Sequence, residues 1–412
     1  MDGFAERLRG VEVAASSAMA ARARELAREG AAVIDLSAGE PDFDTPPHVV
    51  AAAHRAALAG DTHYPPLDGT RALKDAVRRK FLRENGLDYA PDEVMVANGA
   101  KQAIFNALMA TLDPGDEVVV PTPTWISYGD MIRLAGGTVV AVPCLAAGGF
   151  RLSPAALAAA ITPRTRWVIL NFPGNPSGVT ATEAELRALA EVLLPHPRVR
   201  VLSDDMYEHV LLSDRPFRTL AAVEPRLRAR VLTVNGVSKT YAMTGWRVGF
   251  CGGDRALIQA MVAVQGQATS GVCTVAQAAA VAALDGPQDL LRERLAIYRE
   301  RLAMARAILD AAPGLSCPTP EGGFFALPDM TGCLGKVSPS GRRITDDGAF
   351  VSALLEEVRV AVVPGAAYGA PGHVRVSCGT ETRLLVEGCE RIRAFCASLG
   401  PCPAPPPSSP GP

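Results

Sequence analysis

Lys239 lies in the run Val234-Asn-Gly-Val-Ser-Lys-Thr-Tyr-Ala-Met-Thr-Gly-Trp-Arg-Val-Gly249, an apolar strand that breaks at Gly236 and then presents a hydroxyl, an amine and a guanidinium. An amine forms a Schiff base with an aldehyde only while unprotonated, so it needs desolvation or a nearby cation to lower its pKa. Arg247, a few residues on, supplies such a cation, and its planar fork can clamp a phosphate through two hydrogen bonds. An aldehyde joined to a phosphate is the ligand this pairing suits. A surface lysine, with Arg247 in an ordinary ion pair, is the other reading of the same run.

In an open parallel sheet a ligand sits outside the carboxyl ends of the strands, so the residues just after each apolar run carry the most weight. After 94–97, Gly99 and Ala100 open a helix whose unpaired N–H groups suit a phosphate, although any glycine at a helix start looks the same. After 199–203 come Asp204 and Tyr207. A buried carboxylate that stays ionised needs a cation, and a protonated pyridine nitrogen serves; an N-cap is the competing role for Asp204. Asn175, in the rigid loop Asn171-Phe-Pro-Gly-Asn-Pro-Ser-Gly178, together with Tyr207 can hydrogen-bond a phenolate oxygen. Trp125, after Pro121-Thr-Pro-Thr, can lie on an aromatic ring or simply fill the core. Aldehyde, phosphate, pyridine nitrogen and phenolate together describe pyridoxal phosphate.

The elements that position these groups are readable from pattern. Short β-branched runs at 94–97, 117–120, 138–142, 167–171, 199–203 and 231–235 alternate with helical stretches, the signature of a mainly parallel sheet covered by helices. Asp113-Pro-Gly-Asp predicts a turn before the second run, and Pro173, Pro176 and Gly178 break the chain after the fourth. Helices are expected over 70–85, 100–112, 182–194 and 255–284. The fold class is therefore α/β, with a large domain over 49–290. A helix of about 20 residues from Leu290 leads into short strands near 324–327, 360–364 and 374–376, a smaller α+β domain over 291–400. Residues 1–48 give an N-terminal arm and, through the amphipathic stretch 17–29, part of that small domain. The proline-rich tail 401–412 is expected to be disordered.

Composition narrows the function classes. A chain of 412 residues exceeds what one core usually supports, which agrees with two domains. With 41 basic and 43 acidic residues, net charge -2, there is no electrostatic pull toward nucleic acid or an anionic membrane, and the expected partners are small molecules. The amino terminus has no apolar signal region, and no stretch reaches the roughly 18 apolar residues of a membrane span. Nine scattered cysteines without a C-x-x-C pair read as the reduced thiols of a cytoplasmic protein. Six histidines lie apart, His48 and His54 at the wrong spacing for a ligand pair, so no metal is expected.

The joint order of these signals resembles the class I, fold-type I pyridoxal phosphate aminotransferases, and within them the bacterial aspartate aminotransferase branch. The matching runs are Ala38-Gly-Glu-Pro-Asp-Phe-Asp-Thr-Pro46, Asn98-Gly-Ala-Lys-Gln102, Asn175-Pro-Ser-Gly178, Ser203-Asp-Asp-Met-Tyr-Glu-His209, Asn235 to Gly249 and Val374-Arg-Val-Ser377. The resemblance implies a seven-stranded large-domain sheet, and Lys239 as both cofactor anchor and proton carrier. Asp204 would sit on the ring nitrogen, Asn175 and Tyr207 on the phenolate and Trp125 on the ring face. Gly99, Ala100, Ser238 and Arg247 would hold the phosphate, joined by Tyr64 from the partner subunit of a homodimer with shared active sites. It further implies Arg375, helped by Gly39 and Asn175, on the substrate α-carboxylate, and Lys101 with Ser16 on a second carboxylate. The implied reaction is ping-pong transfer of an amino group from an L-amino acid, aspartate first, to 2-oxoglutarate. The same scaffold also serves aminotransferases for other amino acids and pyridoxal phosphate-dependent lyases or synthases. Departures surround the pocket: the family's Lys-Pro-Ser stretch reads Glu12-Val13-Ala14, its Ser-Asn-Pro reads Ser270-Gly271-Val272, and Cys378 replaces a tyrosine. Relatives that also accept prephenate tend to have basic residues at the positions of Glu12 and Ala32, so the expectation is a chain without that activity.

Overall fold

The computed structural model describes residues 3–11 and 13–401; Glu12 and all of the proline-rich tail beyond Pro401 lie outside them. In chain order the strands are β1 (Ile34–Asp35), β2 (Val94–Ala97), β3 (Glu117–Thr122), β4 (Thr138–Pro143), β5 (Thr165–Asn171), β6 (Arg200–Asp204), β7 (Val231–Gly236), β8 (Gly249–Gly252), β9 (Phe325–Ala326), β10 (Val360–Ala361), β11 (Val363–Pro364) and β12 (Val374–Ser377). Seven of them form one sheet, in the order β2-β8-β7-β6-β5-β3-β4. Every pairing in it is parallel except those of β8, which runs antiparallel to β2 and to β7. The α/β fold is the expected one, and six of the seven strands coincide with the apolar runs.

Strand alternation assigns the two faces of this sheet. Val96, Val119, Val168, Leu170 and Val201 point into one core with Leu73 and Val77, while Met95, Val118, Val120, Ile169 and Leu202 point into the other with Ile104 and Ile132. Successive side chains go to opposite faces, so a strand buried on both must be apolar throughout, which is why these runs are continuous rather than alternating.

The helices bearing on the site are α1 (Ala15–Arg28), α2 (Pro47–Leu58), α3 (Arg71–Lys80), α4 (Ala100–Met109) and α5 (Ser127–Leu134). Two expectations need correction. The single helix read over 70–85 is α3, capped by Thr70 through the Leu73 N–H, followed by a π turn over Phe81–Asn85 that Gly86 closes at φ 68. The single helix read over 255–284 is two, Arg255–Ala268 and Thr274–Asp285. Between them Ser270 takes φ 60, and a Cβ at Gly271 would lie 2.7 Å from the Pro65 ring. The helix stops because the 65–66 backbone needs that space.

The chain divides into two compact units, Met1–Ala14, Glu40–Glu300 and Pro320–Phe325 against Ala15–Gly39, Arg301–Thr319 and Ala326–Pro412. Within the second, β1 pairs parallel with β10, and β11 pairs antiparallel with β12. The run 360–364 thus serves two sheets. Ala23 and Leu26 of α1 pack with Leu355 and Ala361 in the same unit. Among the described residues no helix is long and apolar enough to cross a membrane.

Candidate active site

Topology collects the chemistry at one edge. β2, β3, β5, β6 and β7 all end there, and β8, running the other way, begins there with Gly249 opposite both Gly236 and Ala97. Arg247 therefore returns to the edge that Lys239 has just left. The return demands glycine, since a Cβ at Gly249 would lie 2.1 Å from the Ala100 amide nitrogen.

At this edge the start of α4 makes an anion cradle. Gly99 is its N-cap at φ +83, and a Cβ there would sit 2.4 Å from Arg247 Nη2. Arg247 donates from Nη1 to the Thr244 carbonyl at 2.8 Å and from Nη2 to the Asn98 carbonyl at 3.4 Å, which fixes the guanidinium over the helix start. Free N–H groups, the positive end of the helix dipole and a fixed guanidinium converge on one point, an arrangement that favours a phosphate. Ala100, the first residue of α4, is buried. Lys101 follows, with Nζ 4.9 Å from the Trp125 ring centre; burial and then the Arg247 charge hold its pKa below the usual value. A cavity of about 460 Å³ opens here, lined by Lys101, Arg247, Asn98, Asp130 and Ala14.

Asp204 occupies the end of β6 in full burial, and that burial pushes its carboxyl up to about 6. Opposing the rise are the Tyr128 hydroxyl, donating to Oδ2 at 2.5 Å, the Met206 N–H on Oδ1 at 3.3 Å, and the charge of Lys239. Asn171 ties the neighbouring loop to this strand: its amide donates to the Asp204 carbonyl at 2.9 Å, and its Oδ1 accepts the Asn175 N–H at 2.9 Å. Tyr207 is buried edge-on to Phe324 and Phe325. Ser238 is buried and Lys239 half-buried.

Tyr128 was not singled out by the sequence, yet it touches the central carboxylate and meets the Trp125 ring edge-on at 5.2 Å. The available signal was its spacing, three residues after Trp125 at the start of a helical segment; the turn leading into α5, closed by the Tyr128 N–H on the Trp125 carbonyl at 3.2 Å, brings the two rings together. Its hydroxyl favours the ionised form of Asp204, so Tyr128→Phe raises the Asp204 pKa further. The expected result is roughly a tenfold fall in kcat/KM, the worth of one hydrogen bond to a charged group, with the loss greatest on the acid side of the pH–rate profile. A uniform loss at all pH values would contradict this role.

Four expected site residues remain. Tyr64 is 94% exposed. Gly39, Ser16 and Arg375 belong to the second unit. Arg375 is buried there, donating from Nη2 to the Ser37 carbonyl at 2.5 Å and facing the Tyr368 ring at 5.0 Å. Ser16 sits half-buried in the first turn of α1. Cys378 is fully buried, and burial pushes its thiol well above the ordinary value.

A sequence profile described as aminotransferase class I and II matches residues 31–392. The chain belongs to that family. This aminotransferase is 53% identical over 395 residues to the aspartate aminotransferase of Rhizobium meliloti strain 1021, covering 96% of each chain. It is 52% identical over 396 residues to the aspartate/prephenate aminotransferase of Cereibacter sphaeroides, covering 96% of this chain and 99% of that one. The crystal structure of a Rhizobium meliloti aspartate aminotransferase superposes with a TM-score of 0.93 at 52% identity, covering 97% of this chain and all of that one. The Thermus thermophilus aspartate aminotransferase with maleate gives 0.88 at 40% identity, covering 96% of this chain and all of that one.

The family's cofactor is pyridoxal phosphate, and the residues of this aminotransferase fit it on two counts. The cradle of Gly99, Arg247 and the α4 terminus suits the phosphate. Asp204, a carboxylate held in full burial, calls for a cation such as a ring nitrogen carrying a proton.

Proposed function

We propose that this aminotransferase moves the amino group of L-aspartate to 2-oxoglutarate, as a cytoplasmic homodimer. The observation that carries the substrate is Lys101, a partly desolvated cation beside the phosphate cradle and against Trp125, suited to a second carboxylate. Relatives more than half identical are named for aspartate, and a solved relative holds maleate, a four-carbon dicarboxylate.

Pyridoxal phosphate supplies an electrophilic aldehyde and an electron-withdrawing ring. Around it the chain's own groups divide the work. Lys239 Nζ would carry the covalent link, then take the proton from the donor's Cα and deliver it to the cofactor's C4′ carbon. Asp204 holds a proton on the ring nitrogen by opposite charge. Asn175 and Tyr207 hydrogen-bond the phenolate oxygen, and Trp125 covers the ring. Gly99, Ala100, Ser238 and Arg247 bind the phosphate. Arg375, with Gly39 and Asn175, grips the α-carboxylate, and Lys101 with Ser16 takes the distal one. Tyr64, exposed at the 61–67 segment, reaches the phosphate of the second subunit in this reading, and the neighbouring Leu58, 76% exposed, supports a covered face there. The eight described cysteines are all free, which supports a reducing compartment.

A steady-state survey of amino donors tests the assignment. Aspartate is expected to lead neutral and aromatic donors, and Lys101→Ala to lower its kcat/KM by about a hundredfold, the scale of one lost carboxylate partner, while barely changing neutral donors. Aspartate ranking below those donors would remove it as substrate. Prephenate belongs in the same survey, because a relative's name includes it against the expectation drawn from Glu12 and Ala32. Single turnover separates transamination, which leaves stoichiometric pyridoxamine phosphate, from lyase or synthase chemistry.

A further inference from the structure

The turn that carries Asp204 and Tyr207 runs on into Glu208 and His209, which the proposed reaction does not use. Glu208 is buried, and both its oxygens are taken. Oε1 meets the Lys80 ammonium and accepts from Asn235 Nδ2 at 2.8 Å; Oε2 accepts from Asn85 Nδ2 at 2.7 Å. Lys80, itself 2% exposed, also donates to Asn85 Oδ1 at 2.7 Å and lies 3.5 Å from Glu84 Oε2. His209 spans from Glu84 Oε2, 3.1 Å from its Nε2, to the Thr240 hydroxyl, 3.2 Å from its Nδ1.

Three chain segments meet in this cluster: the end of α3, the turn after β6 and the turn after β7. The π turn at Phe81–Asn85 belongs to the design. A π turn closes on the fifth residue, which sets Asn85 over Lys80, and such irregular turns recur at functional sites. Glu84, Glu208 and His209 are close enough together to suggest a metal trio. The Lys80 ammonium already provides the cation between the two carboxylates. Stability alone does not account for the arrangement, because buried ion pairs can generally be replaced by apolar groups without loss.

What the cluster joins is informative. Backbone pairing of β6 with β7 ends at Asp204 and Val234, with the Asp205 N–H on the Val234 carbonyl at 2.9 Å. Beyond that point Tyr207 follows Asp204 on one turn, and Ser238 and Lys239 ride on another. The bonds Glu208–Asn235 and His209–Thr240 cross the gap, the second one residue from Lys239. We infer that Glu208, with Lys80, Asn85, Asn235 and His209, is a positioning unit that fixes Lys239 relative to Asp204 and Tyr207. The inference rests on the proposed role of Lys239 as cofactor anchor. Removing a bond of the unit lets the amine drift from the ring, which changes both its reactivity and the proton affinity of the link it makes.

Two variants test this in the cofactor-loaded protein: Glu208→Gln, and Thr240→Val, which alters only the hydroxyl beside Lys239. The readouts are the spectrophotometric pH titration of the Lys239–cofactor link, kcat and KM for the donor, and thermal unfolding. For Glu208→Gln the spectroscopic pKa is expected to move by about half a unit or more, and kcat to fall roughly 10- to 100-fold with KM little changed, as for a small misplacement of a reacting group. Thr240→Val moves both in the same direction by less. The titration reports only folded, loaded molecules, so misfolding cannot imitate the result. An unchanged spectroscopic pKa and kcat in loaded Glu208→Gln overturns the inference; where that variant does not fold, the same result in Thr240→Val does so. An unaltered chain that shows no link absorbance at all strikes the cofactor reading instead.

Discussion

Alanine at position 239 is expected to abolish transamination, with a fall in kcat of at least about four orders of magnitude, because in the proposed mechanism it deletes the covalent anchor and the general acid–base together. The rest of the site predicts what survives. The Gly99–Arg247 cradle and the Asp204 side chain are held in place by groups other than the lysine, so the variant should still bind pyridoxal phosphate, without the link absorbance that moves with pH. Mixing it with aspartate should leave no pyridoxamine phosphate after many wild-type turnover times. The electrostatics sharpen the contrast. The charge of Lys239 is one of the influences that pull the Asp204 carboxyl back down against burial. Its removal should therefore raise the Asp204 pKa and weaken cofactor binding most at acid pH. Measurable turnover, or an unchanged pH-dependent absorbance, would refute the assignment of Lys239.

How much of this was legible beforehand depends on how local each signal is. The strands buried on both faces announce themselves, because a doubly covered strand must be apolar at every position. β8 does not. Gly249-Phe-Cys-Gly252 holds two glycines demanded by close approach, to the Ala100 amide and to the Tyr89 ring, and so lacks the β-branched residues that mark a strand. The break at 269–273 is equally silent, since its cause is the Pro65–Pro66 segment, some 200 positions away in sequence. The order of groups at the strand ends was legible enough to name the family. Their supports were not. Tyr128 and the Lys80–Glu208 cluster act across separations of 76 and 128 residues, and nothing in the local sequence marks either pairing. The residues proposed to touch the ligand sit on short motifs; the residues that hold them come from wherever packing brings a partner.

Asparagine at position 204 is expected to separate stability from activity. Full burial raises this carboxyl from the ordinary 3.8 to about 6, so its contribution to folding is complete below about pH 4 and is lost as the pH rises through about 6. For a shift of about two units the loss amounts to about 3 kcal/mol at pH 8. Asparagine carries no charge to desolvate, and its Oδ1 can still accept the Tyr128 hydroxyl. The Asp204→Asn apoprotein should therefore melt above the unaltered apoprotein at pH 8 and level with it near pH 4. Asp205, which burial pushes up to about 8, adds its own pH dependence to both proteins, so the difference between their melting curves is the quantity to read. Catalysis should move the other way. An amide cannot hold a proton on the ring nitrogen by opposite charge, and kcat is expected to fall by at least about a thousandfold, the scale of a lost preorganised charge. A carboxylate kept only for packing would give the opposite pair of results, an apoprotein no more stable at pH 8 and an enzyme within tenfold of full activity. The gain in stability is the more telling half, because a residue whose removal strengthens the fold is retained for what it does to a ligand.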